Sequence, residues 1–256
     1  MFKYLGLAAL AAACAAPAAA TEFNLVGSAG SSTAYSYSAD GSTLNVTGFT
    51  YSVAPSALTS LSQLTAGASI TRADGIPGGL GIATHGEDGG ETPQVDTNGA
   101  PNEVLRFAFA NGQAATLTSV TFDYVDADDS LRLYGEQNGA LVYLGFAGEF
   151  YDNTATDTAM GGGVTVSHTG TGGINNNWIW TVSMPTNLGA YNAYYLTSNS
   201  DSADGYQLRS ISFSGLTGGS GIAAPVPEAA TWLMMVLGFG AMGAAMRRPR
   251  RSLFIA

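Results

Sequence analysis

The stretch Glu103–Ala110, EVLRFAFA, places Val104, Arg106, Ala108 and Ala110 on one face and Leu105, Phe107 and Phe109 on the other. A side-chain period of two belongs to an extended strand and is incompatible with an amphipathic helix. In TLTSVTFDYV (116–125), Val120, Phe122 and Tyr124 oppose Thr121, Asp123 and Val125, with Leu117 out of phase. Comparable runs cover Thr43–Val53, Ala115–Val125, Leu131–Tyr134, Leu141–Phe146, Gly163–His168, Trp178–Met184, Tyr191–Thr197 and Tyr206–Ser214, separated by Gly, Asn and Asp turns. Pro55–Thr65 alone reads as a short helix. The 34 glycines and a charged fraction of only 11% suit short strands joined by small polar turns. The expected fold is mainly β: an antiparallel β-sandwich, jelly-roll-like, spanning residues 21–216.

Charge is unevenly placed. Between Thr21 and Glu228 only Arg72, Arg106, Arg132 and Arg209 stand against all 19 acids, a formal net of −15. Such a surface repels phosphate backbones, so no nucleic-acid partner is expected. The single cysteine, Cys14, lies outside this body, which therefore has no disulfide.

Both ends read as addresses. Residues 1–20 combine Lys3, an apolar segment from Leu5 to Ala16, and small residues at Ala18-Ala19-Ala20, the order of a secretory signal peptide. Cleavage is expected between Ala20 and Thr21, by the signal peptidase of the secretion machinery; a lipidated Cys14 is the alternative. At the other end, residues 217–225 form a Gly/Ser/Ala spacer before the apolar run Trp232–Met246 and the cluster Arg247, Arg248, Arg250 and Arg251; 252–256 is a short tail. Fifteen uncharged residues span about 22 Å as a helix, short for a bilayer core of about 30 Å. Snorkelling arginines extend the reach, and the positive cluster keeps the C-terminus cytoplasmic and the body outside.

Pro227-Glu228, Trp232, the run Leu-Met-Met-Val-Leu-Gly-Phe-Gly and the terminal arginines together resemble the PEP-CTERM sorting signal of Gram-negative bacteria, across 226–251. Ala229 stands where that family usually has a second proline. The resemblance implies transient residence of the C-terminal helix in the inner membrane. It also implies processing by an exosortase-type membrane enzyme and delivery to the cell surface or extracellular space. The stretch GLGI…ED…QVD…NEVLRFAF also resembles a Gly-Leu-Gly-Val, acidic loop, Glu-x-Leu-x-Phe pattern of other PEP-CTERM sandwich proteins.

The body offers little recognisable chemistry. It has no Lys or Cys, no Gly-x-Ser-x-Gly elbow and no His-Glu-x-x-His; His85 and His168 lie in unrelated contexts. The Gly-rich stretches Gly27–Ser32 and Gly75–Gly81 read as turns. Acidic loops are the stronger signal: Glu87, Asp88 and Asp96 in Thr84–Gly99, Asp126, Asp128 and Asp129 in Asp123–Ser130, and a third loop at Asp201–Gly205. Ca²⁺ takes six to eight oxygens, which such turns can supply; the alternative is solvated turns that discourage edge pairing. Trp178 and Trp180 share a strand face and suit either a sugar platform or core packing. Two functions follow. One is an exported, noncatalytic surface or matrix protein contacting exopolysaccharide. The other is a secreted polysaccharide hydrolase, for which Glu103 and Glu149 are the candidate acids.

Overall fold

Two-residue turns set the clearest local geometry. Asp40-Gly41 (φ 47° and 74°) and Asn138-Gly139 (φ 53° and 74°) take positive φ, as a hairpin turn matching strand twist requires. They leave Ala39 opposite Ser42 and Gln137 opposite Ala140. The computed structural model describes residues 19–73, 78–84, 93–97, 101–125, 129–147, 158–159, 165–168, 178–185, 187–198 and 205–216.

The first strands are β1 (Thr21–Asn24), β2 (Gly30–Ser32), β3 (Ala34–Ala39), β4 (Ser42–Tyr51), β5 (Thr65–Ala68), β6 (Ile70–Ala73), β7 (Gly79–Ile82) and β8 (Val95–Asp96). Then come β9 (Asn102–Phe109), β10 (Thr116–Val125), β11 (Leu131–Gln137), β12 (Ala140–Ala147) and β13 (Thr158–Ala159). The last are β14 (Thr165–His168), β15 (Trp178–Ser183), β16 (Ala193–Thr197) and β17 (Gly205–Ser214). The smaller sheet runs β12-β11-β16-β9-β4-β3, with β5 beside β4. The larger runs β13-β14-β15-β10-β17-β7-β6-β2. Every pairing is antiparallel.

Strand β17 organises the larger sheet. One edge pairs with β10; the other is shared along its length by β8, β7 and β1. The inward faces of both sheets meet in one apolar core that includes Phe107 and Phe109 from β9, Phe122 from β10 and Phe213 from β17. This is the β-sandwich-like layering that one apolar face per strand demands. Phe109 and Phe213 pack edge to face at 5.0 Å across the two sheets.

The phase break at Leu117 has a structural cause. Leu117 opposes Phe213 while Ser119 opposes Ser212, so Thr118 is an extra residue and Leu117 shares the inward face with Val120. A second irregularity, between Thr121 and Phe122, leaves Arg209 unopposed on β17. A third, against β15, brings Val125 inward beside Phe122.

Two expectations are corrected. Pro55–Thr65 holds two 3₁₀ turns, Pro55–Ala57 and Leu61–Gln63, because Leu58 returns to an extended conformation between them. Leu58 and Leu61 cover Tyr51, Val104, Tyr134 and Tyr195 on the outer side of the smaller sheet. Gly79–Gly81, read as turn residues, lie in β7, and Gly30 opens β2. A Cβ at Gly79 would collide with the Leu208 carbonyl, and one at Gly81 with the Pro93 carbonyl. These glycines serve close backbone approach, which sequence cannot distinguish from a turn.

All these strands fall in one compact unit, Ala19–Gly219. Among the described residues no helix is long and apolar enough to cross a membrane. Residues 1–18 of the expected signal peptide 1–20 and the whole of 217–256, including Trp232–Met246, lie outside them.

Candidate functional site

Described residues at the ends of three acidic loops, distant in sequence, meet at Gly205. Asp96 pairs with it across β8 and β17, and Asp129 accepts its backbone N–H through Oδ1 at 2.9 Å. Gly205 closes the third loop, where a Cβ would meet the movable tip of Gln94 and lie 3.1 Å from the Asp96 Cβ. Asp129 is 3% exposed and Asp96 is half-buried.

Glu103 lies against the same assembly. It sits at the start of β9 with the parity of Leu105, which turns its side chain inward at the rim, and it is 1% exposed. Oε1 accepts the Thr84 N–H at 3.1 Å and the Thr84 hydroxyl, while Oε2 accepts the Asp96 N–H at 3.3 Å. The Thr197 hydroxyl donates to the Glu103 carbonyl at 2.5 Å and lies 2.9 Å from the Tyr51 hydroxyl. Burial pushes the Glu103 carboxyl up to about 8; the Asp96 charge adds to this, and the Thr84 and Asp96 donors oppose it. One carboxyl thus ties the segments 78–84 and 93–97 to β9.

This geometry makes Glu103 a clamp, nearly wholly buried and with each carboxyl oxygen accepting a backbone N–H. Its companion acid in the hydrolase reading, Glu149, lies outside the described residues, as do Glu87, Asp88, Asp126, Asp128 and His85. Among the described residues no group of three His, Cys, Asp or Glu side chains is placed to hold a metal ion. The structure does bring Asp96 and Asp129 to a common neighbour, which local sequence could not show.

Trp180 requires correction as a glycan platform. It is 2% exposed and belongs to the core between the sheets, so its ring has no face to offer a sugar. Its register opposite Phe122 turns it inward. Trp178 opposes Val125, and its side chain lies outside the described set.

The reverse face of the larger sheet was not anticipated. Thr181, Thr121, Ser210 and Asn24 stand opposite one another across β15, β10, β17 and β1; Ser183, Ser119, Ser212 and Glu22 form a parallel row two residues away. The Thr121 and Thr181 hydroxyls are 3.1 Å apart. The signal was present as alternating Ser and Thr within β10, β15 and β17. Beneath these rows, Asp123 is fully buried and accepts Arg209 Nη1 at 2.8 Å and the Gly78 N–H at 3.0 Å.

Of the terminal candidates, Thr21 opens β1, where its hydroxyl donates to Asp40 Oδ2 at 3.0 Å, and Ala20 precedes it exposed. Ala18, Pro227, Glu228, Trp232 and the four terminal arginines lie outside the described residues. No protein-family model, no curated protein and no solved structure matches this chain.

Proposed function

We propose that this chain is an exported, noncatalytic cell-surface or extracellular-matrix protein, sorted by a PEP-CTERM/exosortase-type system and associated with exopolysaccharide. Its body is a jelly-roll-like sandwich between a cleaved signal peptide and a C-terminal transmembrane helix. One observation carries the reading: the ordered C-terminal sequence of Pro227-Glu228, Trp232, an uncharged run to Met246 and four arginines, set behind a Gly/Ser/Ala spacer. A helix that is short, Gly-containing and Arg-terminated pauses in a bilayer, and the spacer leaves the Pro227-Glu228 step accessible at the outer interface.

Mass spectrometry of surface material tests the sorting. Mature protein beginning at Thr21 and lacking Leu233–Ala256 is expected; surface protein retaining that tail refutes the reading. Replacing Pro227-Glu228 should trap the full-length form in the inner membrane. Incubation with polysaccharide should release no reducing ends, and their steady appearance would establish the hydrolase instead.

A further inference from the structure

The outer face of the larger sheet carries an open depression of about 360 Å³ where β1, β10, β15 and β17 adjoin. That is within the roughly 300–1,000 Å³ of small-molecule sites, room for roughly one or two sugar rings. Its floor and walls mix chemistries. Glu22 and Asn24 project from β1, Arg209 from the irregularity in β17, and Val26 and Ile179 add apolar surface. Among the described residues the Glu22 carboxylate has no hydrogen-bond partner, and Asn24 uses only its Oδ1, on the Val26 N–H at 3.0 Å. Arg209 spends Nη1 on Asp123, which fixes its planar fork in place.

We propose that this depression is a binding subsite for a neutral polysaccharide, a proposal that rests on the reading of the chain as an exopolysaccharide-associated surface protein. A sugar ring presents adjacent hydroxyls that both donate and accept, and a C–H face that is apolar. Glu22 accepts from such hydroxyls, the Asn24 amide and Arg209 donate to them, and Val26 and Ile179 meet the C–H face. The hydroxyl rows continue from the depression toward β15, through Thr181 in one and Ser212, Ser119 and Ser183 in the other, with strands about 4.8 Å apart and alternate residues about 6.7 Å apart along each strand. A polymer can therefore run beyond the depression over polar surface.

Charge selects neutrality. The Arg209 charge is matched by the fully buried Asp123, Glu22 adds an exposed negative charge, and the surrounding body is strongly acidic. A polyanion such as a uronate polymer or nucleic acid is repelled. A protein partner would need an apolar anchor, and Tyr143, on the smaller sheet, is the exposed large hydrophobic residue among those described.

The test titrates the purified full-length chain in detergent with neutral hexasaccharides (gluco-, manno- and galacto-series), alginate oligomers and a zwitterionic dipeptide. Saturable binding of at least one neutral oligosaccharide is expected. Asn24→Trp should abolish it by filling the depression. Glu22→Ala, which removes an exposed side chain, should weaken it about tenfold, as expected for one lost charge-assisted hydrogen bond. Melting temperature of E22A should remain that of the parent, which separates loss of a contact from loss of fold. Failure of every neutral oligosaccharide, binding unchanged in both variants, or preference for alginate or the dipeptide would each overturn the proposal. None of these results bears on sorting, which is read from the C-terminal peptide of surface material.

Discussion

The Glu103 carboxylate and the Asp96 backbone N–H meet at 3.3 Å, with Glu103 almost wholly out of water and the Asp96 charge close by. A carboxyl in that position resists ionisation, and this has a measurable consequence. In the unfolded chain it titrates near 4.5; in the folded chain burial raises this to about 8. Between those values the native state holds a proton that the unfolded state has lost, so stability falls as pH rises from about 4.5 to about 8 and then levels. Each tenfold difference in proton affinity between the two states is worth about 1.4 kcal/mol, so the total decline reaches a few kcal/mol. Thermal unfolding between pH 5 and 8 should show the decline, and Glu103→Gln should flatten it. Parallel pH profiles for the two proteins would refute this assignment.

Asp123 depends on Arg209. Arg209→Ala leaves a fully buried carboxylate without its guanidinium and should cost about 3–5 kcal/mol. Combining Asp123→Asn with Arg209→Ala should cost clearly less than the sum of the single changes. Denaturant unfolding of the four proteins in a cycle measures the coupling, and strict additivity would mean the pair is not energetically linked.

Gly81→Ala should destabilise by about 1–3 kcal/mol, since its Cβ would displace the Pro93 carbonyl and with it β8. Hydrogen exchange should then accelerate at residues 93–97 more than elsewhere. Gly139→Ala, which meets only open space but holds φ at 74°, should cost about 1 kcal/mol and leave that segment unchanged. Equal protection of residues 93–97 in both variants would count against the close-approach role.

Trp180→Ala should cost about 3–5 kcal/mol by opening a cavity in the inter-sheet core. Trp180→Phe should lower the melting temperature less and leave oligosaccharide affinity unaltered. A selective loss of affinity in that variant would return Trp180 to the binding surface.

The strands with strong alternation were legible because burial on one face writes itself into sequence every second residue, as in Glu103–Ala110. Strand β3, AYSYSA, was missed because an edge strand alternates Tyr with Ser and carries almost no aliphatic signal. In β10 the alternation from Val120 to Asp123 was legible, but the inward turn of Leu117 and Val125 was not, since an extra residue shifts parity without leaving a distinctive side chain behind. The acidic loops were recognisable as loops, but their convergence on Gly205 depends on pairing between β8 and β17, which lie far apart in the chain. Asp123 and Arg209, separated by 86 residues, were unreadable as a pair for the same reason. The readings of the terminal segments rest on local composition and order alone and fall almost wholly on residues outside the described set.

The place of β17 bears on how such a body can be delivered. The first strand and the last are neighbours: Thr21 lies opposite Phe213 and Asn24 opposite Ser210. In the smaller sheet β9 and β11 likewise wait for β16, which lies between them and comes later in the chain than either. Closing contacts over such distances in sequence is slow, since chain entropy must be lost before any pairing compensates. A chain threaded through a narrow channel from its N-terminus therefore cannot knit its larger sheet until Ser214, the end of β17, has emerged. On the proposed export route it would pass as an open thread, and completion of passage would itself be the trigger for folding.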